Sequence, residues 1–177
     1  MFFENKEYEA LADHSVSEEL ISEVNDYIDK VYDAKSVRFL CMSIDVSEYS
    51  AFDDLTLEDM LDDIGRGFAE TLFSYIDDRK ISDVDCYKRA NVDKKTFSKI
   101  KCNKNYRPSK ITAVSFALAL HLNIDETKNL LNTVGMSLSH SSKFDIIIEY
   151  FIKTGNYKNL ADVNEVLYRF GEETLGV

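Results

Sequence analysis

The chain is 177 residues long, with 45% apolar and 12% aromatic side chains, one Pro and six Gly. That length holds one domain or one with a small appendage, the apolar content suffices for a core, and the scarcity of Pro and Gly excludes a linker-rich or low-complexity chain. The 21 basic and 32 acidic residues leave a net charge of −11, which taken whole argues against an anionic partner.

The charge is unevenly spread. Residues 1–64 hold 18 acids and 4 bases, whereas residues 79–110 hold 11 bases and 3 acids, a net +8 in 32 residues. The basic patch is the electrostatic footprint of a nucleic-acid binder, and the acidic front is a separate feature that could hide it. Cys41, Cys86 and Cys102 are odd in number and far apart, so neither a disulfide framework nor a zinc knuckle is encoded and a reducing cytoplasm is the expected location. The first residues carry acids where a signal peptide needs bases. The longest apolar stretch, 144–152, is interrupted by Asp145 and Glu149 and is too short to span a bilayer, so no membrane partner is expected.

In chain order, Ser17 opens an amphipathic helix with Leu20, Val24, Tyr27, Ile28 and Val31 on one face, and Glu18 and Glu19 suit its positive end. Residues 37–46 are apolar and partly β-branched, and fit either one strand or a buried helical piece. Residues 1–55 form an acidic segment that offers a surface to an effector or protein partner, and 56–177 form a helical domain. Leu57, Met60, Leu61, Ile64, Phe68, Leu72 and Ile76 recur at helical spacing, with a break expected at Gly65 and Gly67. Ser82 caps a short helix over 83–90 and Asp93 another over 94–102, with Asn91 in a left-handed turn between them.

After Arg107 and Pro108, Ser109 caps a helix through Ala113, Phe116, Ala117 and Leu120. The next runs from Asp125 through Leu130 and Leu131 to Gly135. Capping-box spacing at Ser142 with Asp145, and at Asp162 with Glu165, marks two more helices ending at Gly155 and Gly171. The expected fold class is mainly all-α.

Other clusters carry little chemistry. His14, His121 and His140 have no metal spacing, so neither a metal nor a cofactor is expected. Ser139, His140, Ser141 and Ser142 are adjacent, which suits helix capping better than a base opposing a nucleophile. Asp53, Asp54, Glu58, Asp59, Asp62 and Asp63 lack the alternating ligands and central Gly of a calcium loop and read as an acidic helix surface, one able to dock on the basic patch. No phosphate loop, dinucleotide fingerprint or nucleophile elbow occurs, and no enzymatic activity is expected.

The segment 82–102 has the makings of two helices that cross closely. Ala90 is small where they meet, Val92, Phe97 and Ile100 point inward, and the outward face of the second helix is Lys94, Lys95, Ser98, Lys99 and Lys101. Phe68, Leu72, Ile76, Ile81-Ser82, Ala90 to Asp93, Phe97 to Ile100, Arg107-Pro108-Ser109, Thr112, Ala117 to Leu120 and Asn123 to Glu126 together resemble the lambda-repressor-like (Cro/C1-type) helix-turn-helix domain, over about 68–131.

The resemblance implies a bundle of five short helices, here with extra C-terminal helices, in a bacterial or phage-type regulator that binds double-stranded DNA. It implies base contacts from Lys94, Lys95 and Ser98 in the major groove, with Asn103 and Asn105 reaching in from the loop. Lys99, Lys101, Lys104, Arg107 and Lys110 would contact phosphates. Asp83 stands where the family often has glutamine and Asp85 follows, and carboxylates there repel DNA. The alternative is a helical adaptor that binds another protein through the same scaffold. Phe144, Ile147, Ile148 and Phe151, with Val163, Val166, Leu167 and Phe170, are more apolar surface than such a core needs. They are expected either to form a homodimer interface through 143–170 or to bury the N-terminal helix.

Overall fold

The computed structural model describes residues 16–38 and 66–176. Among the described residues there are eight α-helices and no strand: α1 Glu18–Arg38, α2 Phe68–Asp78, α3 Asp83–Arg89, α4 Lys94–Cys102, α5 Lys110–Ala119, α6 Ile124–Asn132, α7 Lys143–Thr154 and α8 Leu160–Arg169. The chain is therefore all-α in its described part. The expected helix over 57–64, the acidic cluster at 53–63 and the alternatives for 39–46 lie outside the described residues. None of the described helices is long and apolar enough to cross a membrane.

The core is built around α5, in which every residue from 112 to 119 is buried. A helix that is buried all round must be covered on several sides, and α3, α6 and α8 pack on it. Ala113, Ala117 and Ala119 let those neighbours come close. Helix starts follow the caps: Ser82 Oγ accepts from Asp85 N at 3.1 Å, and Ser109 Oγ from Thr112 N at 3.2 Å.

Two starts differ from the sequence reading. α6 begins one residue before Asp125, because Asn123 and Glu126 form a reciprocal capping box. α8 begins at Leu160, with Asn159 as its cap and Asp162 as the third helical residue of the box. Asp162 is thus the partner in that box and not its cap, and the earlier start allows Leu160 to be buried. In α7, Ser142 Oγ accepts from Asp145 N at 3.3 Å, but the Asp145 carboxylate does not return the bond because Lys110 and the Ser139 N–H hold it.

Five helix ends share one device. A residue in the left-handed region follows the helix at Lys80, Asn91, His121, Gly135 and Gly171. The next N–H then bonds back across the last turn: Ile81 to Ile76 O, Val92 to Tyr87 O, Leu122 to Ala117 O, Met136 to Leu131 O and Glu172 to Leu167 O. Four of these five closing residues are apolar and lie against or within the core, so each stop also sets the direction of the next segment.

α1, within the segment 1–55 of the sequence reading, packs on α7. Val24 and Ile28 are buried, and the Tyr27 ring meets Tyr150 of α7 edge-on at 5.5 Å. Tyr150 Oη donates to Glu23 at 2.7 Å, and Arg169 of α8 pairs with Glu18 at 2.8 Å. Ile147, Ile148, Phe151, Val163, Val166 and Leu167 are fully buried within this single chain. The two-fold interface expected through 143–170 would need those same side chains. In the single chain they lie in the core and under α1.

Candidate nucleic-acid interface

The site begins with a turn. Asn91 has φ +50°, a conformation that costs Asn less than other side chains because its amide can bond locally. Ala90, with no exposed surface, and Val92 are buried at the crossing of α3 and α4. The tail of the chain lies against this turn: a Cβ on Gly176 would fall 2.3 Å from Asn91 Nδ2, so that position requires glycine. Its neighbour Leu175 is buried and held by Asn164, whose carboxamide accepts from Leu175 N at 2.7 Å and donates to Leu175 O at 2.9 Å.

Phe97 fixes the orientation of α4. Its ring meets Phe73 of α2 at 5.7 Å, Tyr87 of α3 at 5.5 Å and Phe116 of α5 at 6.0 Å. With Phe97 and Ile100 inside, the 3.6-residue period turns Lys94, Lys95, Ser98 and Lys99 outward, and all four are exposed. Among the described residues, Lys94, Lys95 and Lys99 take part in no ion pair. Exposed Cys102 ends the helix, whereas Cys86 of α3 is buried, and burial, then the charge of Asp83, push its thiol pKa up to about 12. Cys86 is accordingly a core residue.

Acidic groups border this face. Asp93 Oδ1 accepts from Lys95 N at 2.7 Å and Thr96 N at 3.0 Å. Hydrogen bonds from Thr96, side chain and backbone, and from Lys95 hold its carboxyl below the usual range. The start of α4 therefore carries a fixed negative charge that occupies N–H groups a phosphate would otherwise use. Asp83 pairs with Lys101 at 2.6 Å, and Asp85 accepts from Ser82 Oγ at 2.7 Å.

No family model, curated protein or solved structure matches the chain.

The expected phosphate contacts divide into three kinds. Lys99 and Arg107 are exposed and unpaired among the described residues. Lys101 and Lys104 form exposed ion pairs, the latter with Glu70 at 3.0 Å, and such pairs are worth only about 0–1 kcal/mol, so either lysine exchanges partners cheaply. Lys110 is different. Its Nζ lies 2.6 Å from Asp145 Oδ2, on a carboxylate whose side chain is 2% exposed, and the same oxygen accepts from Ser139 N at 2.8 Å. Lys110 therefore neutralises a buried charge between α5 and α7 and is set apart from the exposed cations.

In the following loop, Asn103 Oδ1 accepts from Asn105 N at 3.0 Å, which commits that carboxamide oxygen to the turn, while Asn105 is exposed. Tyr106 packs against the core beneath the loop. Lys80, Lys88 and Arg89 are further exposed cations without ion pairs among the described residues; their presence in the basic run was the only signal for them. Glu70 and Asp145, which take up two of the expected cations, lie 34 and 35 residues away from their partners, beyond the reach of sequence pattern.

Proposed function

We propose that the chain is a double-stranded DNA-binding protein without catalytic activity, a regulator of lambda-repressor-like type, that docks α4 in the major groove. The observation that carries this reading is the outer face of α4. In a chain of net charge −11, three lysines without an ion pair among the described residues, and a serine, lie on one side of a helix held by a close-packed turn. Lys94, Lys95 and Ser98 are assigned to base edges, and Lys99, Lys101, Lys104 and Arg107 to phosphates. Asn105 is the loop residue assigned to the bases.

Lys99, Lys101, Lys104 and Arg107 supply four phosphate-neutralising charges. Counterion release then gives a log-log salt slope of about −4 for affinity to random duplex. Fluorescence anisotropy over a salt series tests this. A slope near zero, or no affinity at low salt, contradicts it.

A protein-binding adaptor is the second reading, and the fixed carboxylate of Asp93 at the head of α4 favours it. An acidic peptide that binds α4 while duplex DNA does not would select that reading.

A further inference from the structure

The groove between α2 and α6 has a volume of about 540 Å³, a size typical of small-molecule sites. Arg66, Thr71, Ser74 and Tyr75 line it on one side, and Asn129 and Asn132 on the other. Although the chain has 32 acidic residues, no carboxylate lines the groove among the described residues. Among the described residues no Val, Leu, Ile or Met lines it either.

The polar groups are arranged as donors. Arg66 is exposed and forms no ion pair among the described residues. Asn129 Nδ2 donates to Tyr75 Oη at 3.0 Å, which leaves the Tyr75 proton free to point at an acceptor. Thr71 and Ser74 follow on the same helix, and the Asn129 oxygen and the Asn132 carboxamide offer both donor and acceptor. One guanidinium matches one carboxylate or phosphate in bidentate geometry. The surrounding hydroxyls and carboxamides match a polyhydroxylated body, and the Tyr75 ring offers a flat face beside them.

We propose that this groove binds a small polyhydroxylated anion, a sugar phosphate in chemical class, with Arg66 on the anionic group and Asn129 and Asn132 on the hydroxyls. The proposal does not rest on DNA binding by α4, and its test uses no DNA.

The full chain, isotopically labelled, is titrated with ribose 5-phosphate and, in parallel, with ribose, while the side-chain amide resonances of Asn129 and Asn132 are followed by NMR. Saturable shifts with the phosphate ester and none with ribose are expected. Arg66→Ala should weaken binding at least tenfold, Arg66→Lys should retain part of it, and a K94E/K95E/K99E variant should bind as the wild type does. The absence of saturable shifts at millimolar ligand, binding that survives Arg66→Ala, or shifts confined to α4 would each overturn the proposal.

Discussion

Lys110 and Lys99 are both lysines of one basic run, yet their surroundings give them opposite work. Lys110 compensates the buried Asp145 carboxylate, so Lys110→Ala should lower stability by about 2 kcal/mol, the range for a hydrogen bond to a charged group. Its effect on affinity for duplex at low salt should be less than twofold. Lys99→Ala should do the reverse, changing stability by less than about 0.5 kcal/mol while reducing the salt slope of binding by about one. Thermal melts and anisotropy on the two variants separate these outcomes, and a Lys110→Ala protein that loses DNA affinity as Lys99→Ala does would refute the distinction. The outward set on α4 was legible because Phe97 and Ile100 fix the helical phase over a few residues. The diversion of Lys110, Lys101 and Lys104 was not, since each depends on a carboxylate supplied by another helix.

At the scale of elements, short polar caps were readable where one residue type dominates, as at Ser82, Asp93 and Ser109. The α8 start was misjudged because Asn159 and Asp162 are both good caps, and only the burial of Leu160 decides between them. Asn159→Ala should therefore cost about 1 kcal/mol in a denaturation experiment. Helix ends were legible at Gly135, Gly155 and Gly171 and at Asn91, but Lys80 and His121 adopt the same left-handed conformation with no local signal. In those two cases the apolar residue that follows, Ile81 or Leu122, pulls the chain back onto the core and so sustains the strained turn. Lys80→Gly should relieve that strain and stabilise the protein by up to about 1 kcal/mol; a loss of stability would show that the lysine makes compensating contacts.

For the whole molecule, the apolar faces of α7 and α8 that suggested a dimer are the seat of the single-chain core, and light scattering at micromolar concentration should give the mass of one chain. That role depends on α1, whose place on α7 the sequence left as one of two alternatives because amphipathicity reveals a face but not its partner. The same junction predicts a pH response. Burial pushes the Glu149 carboxyl up, but hydrogen bonds from Lys153 and His140, with their charges, outweigh it and hold the pKa below the ordinary 4.5. The associated stability is present above that ordinary value and lost as pH falls through the lower, folded-state pKa. The stability difference between wild type and Glu149→Gln should thus shrink as pH drops from about 7 to about 3, as read from urea midpoints; a constant difference would exclude Glu149 from the acid response. The central claim, that the outer face of α4 binds duplex DNA, is tested most directly by reversing the charge of Lys94, Lys95 and Lys99 to Glu and measuring duplex affinity at low salt alongside the melting curve. The account predicts that binding is abolished while the melting curve is unchanged; a folded triple variant that binds as tightly as the wild type would contradict it.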